Sequence, residues 1–354
     1  MSDAALLEDA ATRIFEDYYT NDVLVSAKRT GWCAELWHTL EETGVSLVSV
    51  PEASGGAGGS VQEGFSVLRL AGKYCAAVPL ADTALLAGWA LARAGLSIPK
   101  GPLAFAVVKP DSPLSIKQER GGRRVTGILS RIPWARFACG LVVVTEHEGE
   151  CLVILLDPAQ YETSPGTNLA GEARDCVGIE NALVSDANMR VAPPGVSVES
   201  AWQRGALSRA VMMCGALDRI LEMSVRYCKQ RVQFGRPLGK FQAIQQELAR
   251  LAGDAAIATA SAMSAVGGLD TEAQEFDISV AKIRAGEAAQ SGSLIAHQVH
   301  GAMGVTEEYL LHHSTLRLWS WRSEYGSEAQ WAERLGGTAI EGGSVRLWNS
   351  LTRH

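Results

Sequence analysis

The run Arg231-Val232-Gln233-Phe234-Gly235-Arg236-Pro237-Leu238-Gly239-Lys240-Phe241-Gln242 joins two long helical stretches. Phe234-Gly235 can turn the chain, and Pro237, with no backbone N–H, suits a loop or the first turn of a helix. Arg231, Gln233 and Gln242 place a cation and two amides around that turn. Such groups suit a pyrophosphate and the polar edges of a ring. The competing reading is an ordinary helix connection with solvated polar groups.

On the carboxyl side, Phe241, Ile244, Leu248, Leu251 and Ala255 recur at spacings of three and four, which is one apolar stripe of a helix. Residues 206–230 and 276–299 behave similarly, and Gly267-Gly268 separates the two later helices. The last segment is rich in tryptophan: Trp319, Trp321, Trp331 and Trp348. On the amino side, residues 101–197 have a different texture. Short apolar runs such as Leu103 to Val108 alternate with turn signals. Gly140 to Thr145 and Cys151 to Leu156 flank His147-Glu148-Gly149-Glu150, a hairpin loop. Further upstream, residues 1 to about 98 read as helical, broken by a loop at Val50-Pro51 and Gly55-Gly56-Ala57-Gly58-Gly59. The expected fold class is α+β. It has an amino-terminal helical domain (1–100), a small middle antiparallel β domain (101–197) and a carboxyl-terminal helical bundle (198–354).

Composition excludes several classes. Of the 354 residues, 47% are hydrophobic and 20% charged, too apolar for a disordered chain. No stretch approaches the roughly 20 consecutive apolar residues of a membrane span. Asp3, Glu8 and Asp9 near the start do not fit a secretory signal, so none is read. A net charge of −7 argues against a nucleic-acid partner. The seven cysteines are scattered, form no CxxC pair, and read as reduced, mostly buried thiols of a cytoplasmic protein.

No Rossmann or P-loop glycine pattern is present. His297-Gln298-Val299-His300 with His312-His313 matches no zinc spacing, so no metal is expected. A second stretch is more informative: Gln298-Val299-His300-Gly301-Ala302-Met303-Gly304-Val305. Small residues directly after a helix let another group approach the backbone closely. A flat cofactor and a packed neighbouring helix both fit that description.

These two stretches, in this order and separation, resemble the signature regions of the acyl-CoA dehydrogenase family. So does the amino-terminal stretch Trp37 to Pro51 followed by Gly55 to Gly58. The resemblance covers nearly the whole chain. It implies a helical domain, a β domain and a four-helix bundle, with FAD as cofactor and assembly as a dimer of dimers. It further implies that Arg231, Gln233 and Phe234 reach the adenosine diphosphate part of FAD held by a neighbouring subunit, with Leu238, Phe241 and Gln242 lining the same part. Gln298, Val299, Gly301 and Ala302 would sit against the pyrophosphate from their own side. An acyl-CoA substrate and electron-transfer flavoprotein as electron acceptor are implied as partners.

Three departures from the family pattern bear on function. The family's T-E-P-x-x-G-S-D run corresponds to Val108-Lys109-Pro110-Asp111-Ser112, where only the proline is kept and the β domain reads as shortened. The family's W-I-T run corresponds to Arg131-Ile132-Pro133, which lacks the threonine hydroxyl; Pro133 and the adjacent Trp134 remain as flavin neighbours by resemblance. The third concerns the base that removes the α-proton of the thioester, usually the glutamate of a Y-E-G-T run. Here the run is Ser323-Glu324-Tyr325-Gly326-Ser327, with Glu and Tyr inverted. Glu324 and Tyr325 are therefore the catalytic candidates, with Ser327 beside the cofactor. An unperturbed phenol, with a pKa of about 10, is a poor base at neutral pH. The competing reading of Glu324 is a surface carboxylate paired with Arg322 or Arg317. The alternative base position on the helix before the Arg231 run is occupied by Gly205, with Arg204 beside it.

The leading expectation is an FAD-dependent acyl-CoA dehydrogenase of lipid metabolism that forms a 2,3-enoyl-CoA. The small residues Gly205 and Ala206 favour a bulky acyl group. A second expectation is a catalytically degenerate subunit that completes the FAD site of a paralogous partner. A third, outside flavin chemistry, is a helical scaffold, which would purify colourless.

Overall fold

The computed structural model describes residues 3–109 and 114–352. The chain divides into two compact units, Met1–Leu68 with Ala76–Gly205, and Arg69–Cys75 with Ala206–His354. The helical segment expected over 1–100 and the β segment expected over 101–197 thus fall together in the first unit, apart from the short piece Arg69–Cys75.

The first unit opens with three helices, α1 (Asp3–Asp17), α2 (Asn21–Thr30) and α3 (Ala34–Glu42). Thr20 caps α2 by accepting from the Val23 amide, and Gly31 ends it in the left-handed region. After the glycine loop comes α4 (Val61–Lys73). A π-helical turn, Ala81–Gly88, then runs into α5 (Trp89–Ala94) and is buried throughout.

Two four-stranded sheets follow. One has the order β1 (Leu103–Val108), β4 (Gly140–His147), β5 (Glu150–Leu156), β8 (Met189–Val191). The other has the order β2 (Ser115–Glu119), β3 (Gly122–Pro133), β7 (Arg174–Val184), β6 (Glu162–Ser164). Inward residues of both, among them Val125, Leu129, Leu141, Val143, Leu152, Ile154, Val177 and Ile179, form one buried core. The hairpin expected at 147–150 is present, with Glu148 (φ 52) and Gly149 (φ 83) in the two-residue turn that matches strand twist. One pairing departs from the antiparallel expectation: β1 and β4 run parallel, Leu103 opposite Gly140. The intervening β2–β3 hairpin belongs to the other sheet, so the chain returns to the first sheet at the same end.

The second unit is a helical bundle built from α6 (Val198–Gln230) from Ala206 onward, α7 (Gln242–Gly267), α8 (Gln274–His300), α9 (Leu311–Ser323) and α10 (Glu328–Leu351). A two-stranded hairpin, β9 (Val232–Gln233) with β10 (Arg236–Pro237), joins α6 to α7. The apolar stripe of α7 is only half-buried at Phe241, Ile244 and Leu248. It becomes fully buried from Leu251 onward through Ala255, Ala258 and Ala262. Small residues set the helix spacing. A methyl at Gly292 of α8 would stand 2.9 Å from Leu251 and 3.0 Å from Leu217, so α6, α7 and α8 meet there. Likewise a methyl at Gly72 would overlap the Met212 carbonyl, and one at Gly215 the Arg69 carbonyl. The end of α4 crosses α6 at backbone contact, and Arg69–Asp218 and Lys73–Glu222, both at 2.6 Å, pin the crossing.

All seven cysteines are unbridged, but only Cys75, Cys214 and Cys228 are buried; Cys139 is exposed. Among the described residues no helix is long and apolar enough to cross a membrane, and no cluster of His, Cys, Asp and Glu could hold a metal ion.

Candidate functional site

The Arg231–Gln242 run is a surface hairpin. Phe234 (φ 51) and Gly235 (φ 77) both take left-handed conformations, as a two-residue hairpin turn demands. A phenylalanine in that region carries a steric cost of about 1–2 kcal/mol. Its ring is 90% exposed, so burial within this chain does not repay the cost. Behind it, Phe241 meets Phe234 edge-on (centroids 6.1 Å) and carries the Arg236 guanidinium over its face at 4.2 Å. With its amide oxygen turned toward Arg231, Gln233 accepts from Nη2 at 2.7 Å, so the guanidinium and the amide present one polar edge. Arg231, Gln233, Phe234 and Gln242 are exposed; Leu238 and Phe241 are half-buried.

The second stretch ends α8. Gln298, Gly301 and Ala302 are exposed, whereas Val299 is buried in the bundle. Gly301 has φ 59 and ψ −139, and a Cβ there would meet nothing within 4 Å. Backbone conformation, more than crowding, therefore requires this glycine, and its outer side is open to a flat group. His300 Nδ1 donates to the Ala296 carbonyl (2.7 Å), which leaves Nε2 to accept from the Tyr309 hydroxyl (3.0 Å). Burial lowers the His300 pKa, in keeping with a neutral ring. Tyr227 packs against this ring at 4.5 Å, and its carbonyl accepts from the Arg231 amide. Tyr227, His300 and Tyr309 thereby tie the base of the hairpin to the glycine turn. Sequence reasoning missed this link, because a tyrosine and a histidine 73 positions apart carry no motif.

The third element is the turn from α9 to α10. Glu324 caps α9, and its Oε2 accepts from Arg209 Nε at 2.6 Å; the Arg209 side chain is 0% exposed. The same guanidinium lies 5.3 Å from the Tyr325 ring centroid. Glu324 is therefore paired with Arg209, an arginine the sequence reading did not name. Arg322 pairs with Glu328, and Arg317 is buried and donates to the His313 carbonyl at 3.2 Å. Arg209 escaped notice because its helix lies over a hundred residues away in sequence. Tyr325 (φ 54) and Gly326 (φ 95) turn the chain, and the Tyr325 carbonyl accepts from Trp331 Nε1 at 3.0 Å. Ser327 caps α10 reciprocally with Gln330, its amide donating to Gln330 Oε1 at 2.9 Å. Its hydroxyl thus already has a structural role.

The remaining candidates lie in the first unit. Pro133 ends β3. Trp134 (φ 50) is 1% exposed, donates from Nε1 to the Gly31 carbonyl at 3.1 Å, and carries the Arg174 guanidinium over its ring at 4.8 Å. Its indole contacts are internal. Arg204, beside Gly205, is buried and donates to the Leu85 carbonyl at 2.9 Å. Pro110, Asp111 and Ser112, the remnant of the T-E-P run, lie outside the described residues.

Chemically, the second unit offers a guanidinium–amide edge, an open glycine turn after a helix and a carboxylate held by a buried cation. The first two suit a dinucleotide's phosphates and ring edges, and the third a proton acceptor. Comparison with known proteins points the same way. Residues 197–328 match the family model for the carboxyl-terminal domain of acyl-CoA dehydrogenases. The acyl-CoA dehydrogenase FadE27 of Mycobacterium tuberculosis is 30% identical over 308 residues, covering 78% of this chain and 80% of that protein. The acyl-CoA dehydrogenase IpdE2 of the same organism is 26% identical over 288 residues, covering 81% of this chain and 80% of that one. A chain of the ChsE4-ChsE5 complex from Mycobacterium tuberculosis superposes with a TM-score of 0.89 at 24% identity, covering 97% of this chain and 99% of that chain. The fold is thus that of flavoprotein oxidoreductases acting on CH–CH bonds. The chain belongs to the acyl-CoA dehydrogenase family.

Proposed function

We propose that this protein is an FAD-dependent acyl-CoA dehydrogenase that oxidises an acyl-CoA thioester to the 2,3-enoyl-CoA. The observation that carries the reading is the Arg231–Gln233 edge tied through Tyr227 and His300 to the open Gly301 turn, in a chain of the acyl-CoA dehydrogenase family. The Arg231–Gln233 edge and the Gly301 turn would hold FAD, which when bound would supply the acceptor for the β-hydrogen and its electron pair. The α-proton leaves to Glu324. Arg209 fixes the carboxylate's position, and accepting the proton weakens the pair's charge-assisted hydrogen bond. Electron-transfer flavoprotein is the proposed electron acceptor, a dimer of dimers the proposed assembly and the cytoplasm the proposed location. The test is to purify the protein, record its visible flavin band and add acyl-CoA. The band is expected to bleach. Glu324→Gln should retain the flavin and fail to bleach; full bleaching in that variant would remove Glu324 from the chemistry.

A second reading is favoured by the same ion pair. With Glu324 engaged by Arg209 and Tyr325 standing where the family pattern places its glutamate, this chain completes the FAD site of a paralogous partner that supplies the base. Flavin that binds and bleaches only after co-expression with such a partner selects this reading; one reducible FAD per subunit in the isolated protein rejects it. A bulky acyl group is also proposed, from the buried Gly205 and Ala206 on α6. Preference for butyryl-CoA in a substrate panel would refute it.

A further inference from the structure

Lys282 sits in the middle of α8 with its side chain fully buried, and the chemistry above makes no use of it. Its Nζ donates to the Trp321 carbonyl at 3.2 Å and the Arg322 carbonyl at 2.8 Å. These carbonyls belong to the last turn of α9, where a helix end leaves acceptors short of donors; the Trp321 carbonyl also accepts from the Glu324 amide at 3.2 Å. Glu324 follows two residues later. The charged groups facing the amine are Glu324 and Arg322 at the end of α9, Arg209 on α6 and Glu328 on α10. They form two ion pairs, Arg209–Glu324 and Arg322–Glu328. The two guanidiniums match the two carboxylates, so a protonated Lys282 adds a further positive charge to a partly buried cluster.

An amine in such a place needs a structural reason, since burying it is costly. The turn beyond it supplies one. Tyr325 is a left-handed non-glycine residue directly before Gly326, a pairing that persists only where its surroundings over-determine it. Trp331 holds the carbonyl of Tyr325, and Arg209 holds the Glu324 carboxylate. Lys282 holds the backbone on the other side of Glu324.

We propose that Lys282 is a positioning residue that clamps the final carbonyls of α9 and so sets where the Glu324 carboxylate and the Tyr325 ring stand. The clamp stands on the geometry; only its consequence for turnover rests on the dehydrogenase reading. Burial pushes the amine down to about 7, and a charged donor holds carbonyls more firmly than a neutral one. The clamp is therefore tighter below that pH than above it.

The test is backbone amide hydrogen exchange on the full-length protein. In the native protein, protection of Glu324 to Ser327, corrected for intrinsic rates, falls as the pH rises through about 7. In Lys282→Met the same amides exchange about tenfold faster at low pH, the pH step disappears, and the amides of α7 keep their native rates. Faster exchange spread evenly through α7 and α8 would make Lys282 an ordinary core residue and overturn the proposal; so would unchanged exchange in the turn. If Lys282→Met does not fold, Lys282→Gln takes its place, and unchanged exchange of the turn amides in that variant overturns the clamp. In turnover, Lys282→Met should lower kcat with little change in KM. A native protein that shows the exchange signature but never oxidises acyl-CoA refutes the dehydrogenase reading and leaves the clamp standing.

Discussion

Arg209 illustrates how a single buried charge commits its surroundings. Its guanidinium, fully enclosed, is balanced by the Glu324 carboxylate at 2.6 Å. Replacing it with an apolar side chain of similar length leaves the carboxylate without that compensation. Arg209→Met should cost about 3–5 kcal/mol in urea unfolding, and adding Glu324→Gln should return part of it. Lys282 gives a prediction of the opposite character. Its ordinary value of 10.5 holds in the unfolded chain, and burial lowers it to about 7 in the fold. Between those values the unfolded chain binds more protons, so this group makes stability rise with pH across that window. Below about 7 both states are protonated and the gain is gone. The urea midpoint of Lys282→Met should lack that rise. The residues 324 and 325 were legible in the sequence as an inverted motif. Their partners were not, because Arg209, Lys282 and Trp331 reach them only through the packing of three further helices.

At the scale of elements, the hairpin between α6 and α7 was readable because its turn chemistry is local: Phe-Gly to reverse the chain and Pro237 to leave it. What it exposes was not readable. A phenylalanine that is 90% exposed and conformationally strained contributes little to the chain that carries it. Phe234→Ala should therefore shift unfolding by less than about 0.5 kcal/mol while lowering the flavin retained through gel filtration. The opposite pattern, lost stability with full flavin, would make the ring a core element. The crossing of α4 and α6 predicts differently. A methyl at Gly72 or Gly215 meets a carbonyl oxygen of the other helix, and backbone cannot swing aside as a side chain can. Gly215→Ala should destabilise by about 1–3 kcal/mol or more, read from the thermal midpoint. Nothing in the sequence marks these two glycines as a pair. The parallel pairing of β1 with β4 was likewise hidden, since the direction of a strand depends on which sheet its neighbours join.

For the molecule as a whole, the order helix, strand, helix was legible from composition and periodicity, and the family from three ordered stretches. Apolar spacing, turn residues and charge are written locally, and local physics suffices to interpret them. The sequence by itself therefore determined the fold class, the helical bundle and the stretches that carry the family resemblance. Only the tertiary structure decided that the helical segment, apart from Arg69–Cys75, and the β segment fall in one unit. It also decided that Tyr227 and His300 join the two motif stretches, and that Arg209, from a distant part of the chain, holds Glu324. Those outcomes depend on which distant side chains share a buried, weakly screened space, where a charge must find a partner and a ring must find a neighbour.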